Sequence, residues 1–146
     1  MALLVLLTMA NADLKVGETF PKTELPDQFD KTQRITKEDK WVLMTFEKSV
    51  AVELSKYFKQ KPSNYLKDYK VKIISDISSM PTLITKMFAL PKMRRYPFSV
   101  MLIRDEFGEQ FDRKEGMVTL YRLRKGKIKE ISFMRPEELD AALAAK

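Results

Sequence analysis

Any chemistry in this chain must come from carboxylates, lysines or a bound cofactor, because its 146 residues contain no cysteine and no histidine. Without cysteine there is no disulfide, thiolate nucleophile or cysteine-ligated metal. Without histidine no side chain titrates near neutrality unperturbed. These absences exclude Ser–His and Cys–His catalysis and most zinc sites. No Ser is followed three positions later by Lys, so the common serine–lysine arrangement has no local signature either.

The remaining polar groups gather at a few places. Glu47, Lys48 and Ser49 follow the apolar run WVLMTF (41–46) and open an amphipathic stretch. The carboxyl end of a buried strand and the start of a helix attract ligands and anions, so Lys48 beside free N–H groups would hold a carboxylate or phosphate. The plainer alternative is that Ser49 caps the helix while Glu47 and Lys48 are solvated. Lys92, Arg94, Arg95, Tyr96 and Pro97 interleave basic and aromatic residues, a pattern that can follow a phosphate backbone but also suits an ordinary charged loop. Arg122, Arg124, Lys125, Lys127 and Lys129 form a second basic group, which on an edge strand would block sheet-to-sheet pairing. Asp105, Glu106, Glu109 and Asp112 lack calcium-loop spacing and read as a solvated turn, so no metal site is expected. Met80, Met87, Met93, Met101 and Phe88 read as core fillers.

These residues must be positioned by a single domain, given the length and a composition of 45% hydrophobic and 32% charged residues. The lead-in LKVGETFPKTELPDQFDKTQRI is rich in turn residues and reads as extended segments along a domain edge. Trp41–Phe46 suits a strand buried on both faces. Val50, Leu54, Tyr57 and Phe58 then mark a helical stripe that Pro62 ends, and residues 64–69 read as a short helix. VKIISDIS is a second strand. Pro81 opens another helix, with Leu83, Ile84, Met87 and Phe88 on one face and Pro91 as its stop. PFSVMLI is a third strand, and MVTLYRL and KIKEISF form a hairpin about Lys125-Gly126. A helix begins at Pro136, with an acidic first turn as the dipole favours. The order β-α-β-α-β-β-β-α implies a mixed sheet covered by helices on both faces.

The start, MALLVLLTMANA, is an apolar run ending in an A-x-A pattern. It reads as the remnant of an export signal over residues 1–12, with a domain over 13–146 and a periplasmic or secreted location. The run is about half the roughly 20 residues a membrane span needs. The net charge of +7 raises the question of anionic partners.

This order resembles the thioredoxin-like superfamily. WVLMTF with its helix occupies the place of the strand that carries a thioredoxin active site, VKIISDIS the next parallel strand, and LYRLRKGKIKEISFMRPEELDAALAAK the closing hairpin and helix. Tyr96-Pro97-Phe98 resembles the family's cis-proline segment, which implies a cis bond at Pro97 and an edge at Tyr96 able to hold an extended peptide. More narrowly, ISSMPTLITKMFALPKMRRYPFSVMLI is similar to small exported thioredoxin-like proteins of bacteria, some of which carry names borrowed from flavin dehydrogenases. Aligning Phe46 with the end of the family's strand puts Ala51 and Leu54 near the positions of the two redox cysteines. Thiol–disulfide exchange requires an attacking thiolate, so that activity is excluded, and cysteine-based peroxidase activity with it. Four glycines and no G-x-G-x-x-G give no support to a dinucleotide, and no cofactor is expected. The expected role is a non-redox binding or adaptor module for an envelope protein or extended peptide. Two alternatives stand beside it: a cofactor-dependent enzyme or carrier, for example flavin-binding, using the same cleft, and a binder of anionic envelope polymer or lipid. Nucleic acid is not the expected target of an exported protein.

Overall fold

A computed structural model describes residues 14–144; the apolar run over residues 1–12 lies outside them. A small hairpin, β1 (Glu24–Pro26) and β2 (Thr32–Arg34), precedes the main sheet. Then come β3 (Trp41–Thr45), α1 (Lys48–Lys59), α2 (Tyr65–Asp68) and β4 (Val71–Asp76). A three-part helix follows: α3 (Thr82–Ile84), a π-turn (Thr85–Ala89) and α4 (Leu90–Met93). The chain closes with β5 (Met101–Ile103), a 3-10 turn (Glu106–Gln110), β6 (Val118–Arg124), β7 (Lys127–Met134) and α5 (Leu139–Ala144).

The five-stranded sheet has the order β5-β4-β3-β6-β7, with β3, β4 and β5 parallel and β6 and β7 antiparallel. Strand β3 lies at its centre because its residues are all apolar but one and every one is buried. Alternation then divides the core. Trp41 and Leu43 face a cluster with Val50, Leu54 and Phe58 of α1, Leu90 of α4, and Leu139 and Leu143 of α5. Val42 and Met44 face Phe20, Phe111 and Tyr121 on the other side. The α-helices therefore share one face, while the lead-in and the 3-10 turn cover the other. Lys125 and Gly126, both at positive φ (51° and 84°), make the β6–β7 turn, a geometry that matches the twist of a hairpin.

The lead-in does more than follow an edge. The Gly17 N–H donates to Ile128 O (2.8 Å) and the Ile128 N–H to Glu18 O (2.9 Å), so it pairs along β7. Asp27 then bridges to Met101 on β5, the opposite edge. One segment thus reaches both open edges, meeting the start of β7 at Lys127 and Ile128 and the start of β5 at Met101. The side chain of Gln28, 0% exposed, completes the attachment. Its Nε2 donates to Met93 O (3.1 Å) and Phe98 O (2.7 Å), and its Oε1 accepts from the Val100 N–H (2.8 Å). Beside it, Asp27 accepts from the Phe29 and Lys31 N–H groups, Gln33 and Ser99.

The structure corrects several expectations. The bond before Pro97 is trans, since the described residues hold no cis peptide. β5 lies at the sheet edge, two strands from β3, and the neighbour of β3 on its other side is β6. The segment entering that neighbour is Gly116-Met117-Val118, which holds no proline. Pro91 does not stop its helix. A proline cannot supply the N–H of an ordinary turn, and the wider π-turn, in which the Leu90 N–H reaches Thr85 O, accommodates it. That spacing sets Thr85 and Leu90 inward, both buried, and leaves Leu83, Ile84, Met87 and Phe88 facing solvent rather than core. Asp112, expected in a solvated turn, is buried against the Tyr121 hydroxyl, which donates to it at 2.8 Å.

Two outcomes follow for stability. Changing Gln28 to Leu strands the Val100 N–H and two carbonyls, and urea unfolding should show a loss of about 3 kcal/mol, given roughly 1–3 kcal/mol per buried polar group left unpaired. Burial opposes the charge of Asp27, but the hydrogen bonds from Lys31, Gln33, Phe29 and Ser99 outweigh it and hold the carboxyl below its ordinary value. A depressed folded-state pKa contributes stability above the unfolded value, lost as pH falls through the folded one. Wild type should therefore lose stability below about pH 4, and Asp27→Asn should flatten that slope in unfolding midpoints measured against pH. The slope will not vanish, because Arg34 holds Glu24 low and Lys61 with Tyr57 holds Asp140 low.

Candidate functional site

The junction of β3 with α1 opens onto a cleft between α1, the end of β4 and the 82–93 helix. The cleft holds about 870 Å³ of empty space, including its open mouth. Its position follows from topology: the parallel strands β3 and β4 both end here, and the chain leaves each to form a helix, which leaves a crevice at their carboxyl ends.

Polar groups in the floor satisfy one another. Thr45 and Ser75 are register partners on β3 and β4, both buried, with their hydroxyl oxygens 2.7 Å apart. The Ser55 hydroxyl donates back to Val52 O at 2.8 Å. The carboxylates at the rim are also engaged. Glu47 accepts from the Gly116 N–H at 2.6 Å, tying the corner to the turn before β6. Asp76 accepts from the Ser78 N–H (2.9 Å) and hydroxyl (2.6 Å). The walls are apolar: Ala51 and Leu54 from α1, Met80, Met93, and Tyr96 stacked on Phe98 with centroids 5.2 Å apart. The amine of Lys59 lies 4.9 Å over the Tyr96 ring. With its floor hydroxyls bonded and its rim carboxylates engaged, the cleft offers mainly apolar surface, the composition of a binding pocket, with Lys48, Ser79 and Lys92 as its other polar lining.

Of the polar and aromatic residues singled out from the sequence, Glu47, Lys48, Lys92 and Tyr96 line this cleft. Ser49 does not cap α1; Glu47 is the N-cap, and its side chain is turned to Gly116. Ser49 instead lines a separate shallow depression with Glu53 and Arg135. Arg94, Arg95 and Pro97 lie outside the cleft lining, exposed. Arg94 is spent on structure, donating to Gln28 O at 2.8 Å and lying 3.6 Å from Asp30. The sequence reading missed Met80, Met93 and Phe98 as wall residues. A flexible thioether just before the 82–93 helix and another at its end, followed by an aromatic pair, were the available signal. Ala51 and Leu54, the positions aligned with the missing sulfurs, both face the cleft.

No family model matches the chain, and no curated protein matches it. Solved structures do. The thioredoxin domain of a thiol-disulfide oxidoreductase from Bacteroides vulgatus is 18% identical over 91% of this chain and 98% of that one, with a TM-score of 0.62. Peroxidoxin BcpB from Mycobacterium tuberculosis is 19% identical over 90% of this chain and 95% of that one, with a TM-score of 0.60. A thiol:disulfide interchange protein from a Bacteroides species is 15% identical over 88% of each chain, with a TM-score of 0.58. The fold is thioredoxin-like. This thioredoxin-like chain keeps the corner and lacks every cysteine. Among the described residues there is no carboxylate group arranged to hold a metal ion, and no helix long and apolar enough to cross a membrane.

The rim carboxylate Asp76 lies against Gly108, where a Cβ fits only if that carboxylate moves. A Cβ on Gly108 would lie 2.9 Å from Asp76 Cγ, and closer still to its Oδ2. Gly108→Ala should displace the Asp76 carboxylate and cost about 1–3 kcal/mol, the range of an overpacked site, read as a lower urea midpoint.

Proposed function

We propose that this chain is an exported, non-redox thioredoxin-like binding module that receives an apolar side chain or short apolar segment of a partner protein in the cleft beside α1. The observation that carries this reading is the apolar cleft at the carboxyl ends of β3 and β4, whose polar floor groups are paired with each other. Such a floor favours an apolar guest over a polar one. Lys48 and Lys92 at its mouth favour a guest flanked by carboxylates. An added strand at a sheet edge is the weaker route, because the lead-in already takes the start of both edge strands. Export is supported by the apolar run and A-x-A pattern at residues 1–12.

The test is selection of peptides from a displayed random library on the full chain, followed by affinity measurement on variants. Peptides with an aromatic or aliphatic anchor near acidic residues are expected. Ala51→Trp, which fills the cleft, should weaken them at least about tenfold, roughly the 1.4 kcal/mol that one lost apolar anchor exceeds. Ser49→Ala should leave affinity unchanged. Peptides that bind the Trp variant as well as wild type would overturn the reading.

A further inference from the structure

The 82–93 helix presents apolar side chains to solvent on the side away from the cleft. Leu83, Met87 and Phe88 are 65%, 60% and 63% exposed, and Ile84 is 39% exposed. Scattered surface hydrophobes need no explanation, but four on one short helix form a patch, and such patches mark contact sites. The charge around them is one-sided. From Ile77 through Arg104 the chain contains no Asp or Glu, while Lys86, Lys92, Arg94 and Arg95 are all exposed. The one acidic group paired with these cations is Asp30, 3.6 Å from Arg94, and none of the ion pairs among the described residues uses Lys86, Lys92 or Arg95.

We propose that this face docks on the surface of an anionic lipid bilayer, with Leu83, Ile84, Met87 and Phe88 entering the boundary between headgroups and acyl chains and Lys86, Lys92 and Arg95 meeting the headgroup phosphates. The chemistry selects this occupant over the others. An apolar face bordered by lysine and arginine is the composition of a helix that lies in a membrane interface, and lysine stems can lie along acyl chains while their amines reach headgroups. A second copy would set one basic rim against another in a chain of net charge +7, which repulsion disfavours. The inserting side chains are alkyl, thioether and phenyl. They offer no hydrogen-bonding group to fix the orientation of a protein partner, and a bilayer requires none. The proposal does not rest on the peptide reading: Ala89 and Met93 serve the cleft, and of the docking residues only Lys92 also lines it, so the variants below leave Lys92 unchanged.

The experiment is sedimentation of the full chain with vesicles of equimolar phosphatidylglycerol and phosphatidylcholine, and with phosphatidylcholine alone. Residues 1–12 are common to every variant, so differences between variants report the patch. Wild type should partition at least about tenfold more strongly onto the anionic vesicles and lose most of that preference in high salt. Met87→Glu with Phe88→Glu should reduce binding by at least about tenfold, and Lys86→Glu with Arg95→Glu by a similar factor. Both double variants change exposed residues, and circular dichroism melts should match wild type. Ala51→Trp should bind vesicles as wild type does, which separates this proposal from the cleft. Three results would each overturn it: wild type sedimenting with neither vesicle; the Met87/Phe88 variant binding as well as wild type; or light scattering showing a dimer that the same variant dissolves, which would assign the face to a second copy.

Discussion

The architecture depends on one buried amide. Gln28 sits in the lead-in, yet its side chain satisfies the backbone at Met93, Phe98 and Val100, where α4 gives way to β5. A primary amide can donate twice and accept twice, so one side chain closes a loop whose carbonyls and N–H would otherwise face a dry interior. Through it the lead-in, the 82–93 helix and the edge strand become one unit. The position of Tyr96 and Phe98 over the cleft follows from that attachment, because both lie within the clamped loop. Asp27 adds a second set of bonds from the same turn, and the two residues together take the structural place that a cis-proline corner was expected to hold.

A strand-to-helix corner without sulfur is still a corner. Ala51 and Leu54 present apolar atoms to the cleft from α1, and Glu47 anchors the turn to Gly116. What remains is a crevice that the topology produces whatever lines it. Its walls, Met80, Met93 and the Tyr96–Phe98 stack, suit a guest recognised by shape and apolar area.

The central strands were legible because WVLMTF is apolar on both faces and VKIISD sets Val71 and Ile73 on one face and Ile74 on the other, and the middle of a sheet buries both. The β6–β7 turn was legible because Lys125-Gly126 interrupts two alternating runs. Gln28 was not: its partners lie 65 to 72 residues away, and nothing local distinguishes it from any other polar residue in a loop. The stripe Leu83, Ile84, Met87 and Phe88 was legible as a stripe but not as a surface, because periodicity identifies a face without saying which way it turns. Here a π-turn around Pro91 set Thr85 and Leu90 inward. The placing of Pro97 failed for a related reason. Chain order does not say whether a third strand extends the sheet outward or crosses to its other side, and β5 went outward.

The double duty of the lead-in also has a consequence in time. Residues 17–28 are made early, but their partners run from Met93 to Ile128, near the far end of the chain. The first part to emerge is therefore the last able to dock, and contacts of such long sequence separation form slowly. Until residue 128 is present, β5 and β7 have no cover and the core beneath the lead-in stays open. The lead-in therefore cannot complete its docking until residue 128 has been made.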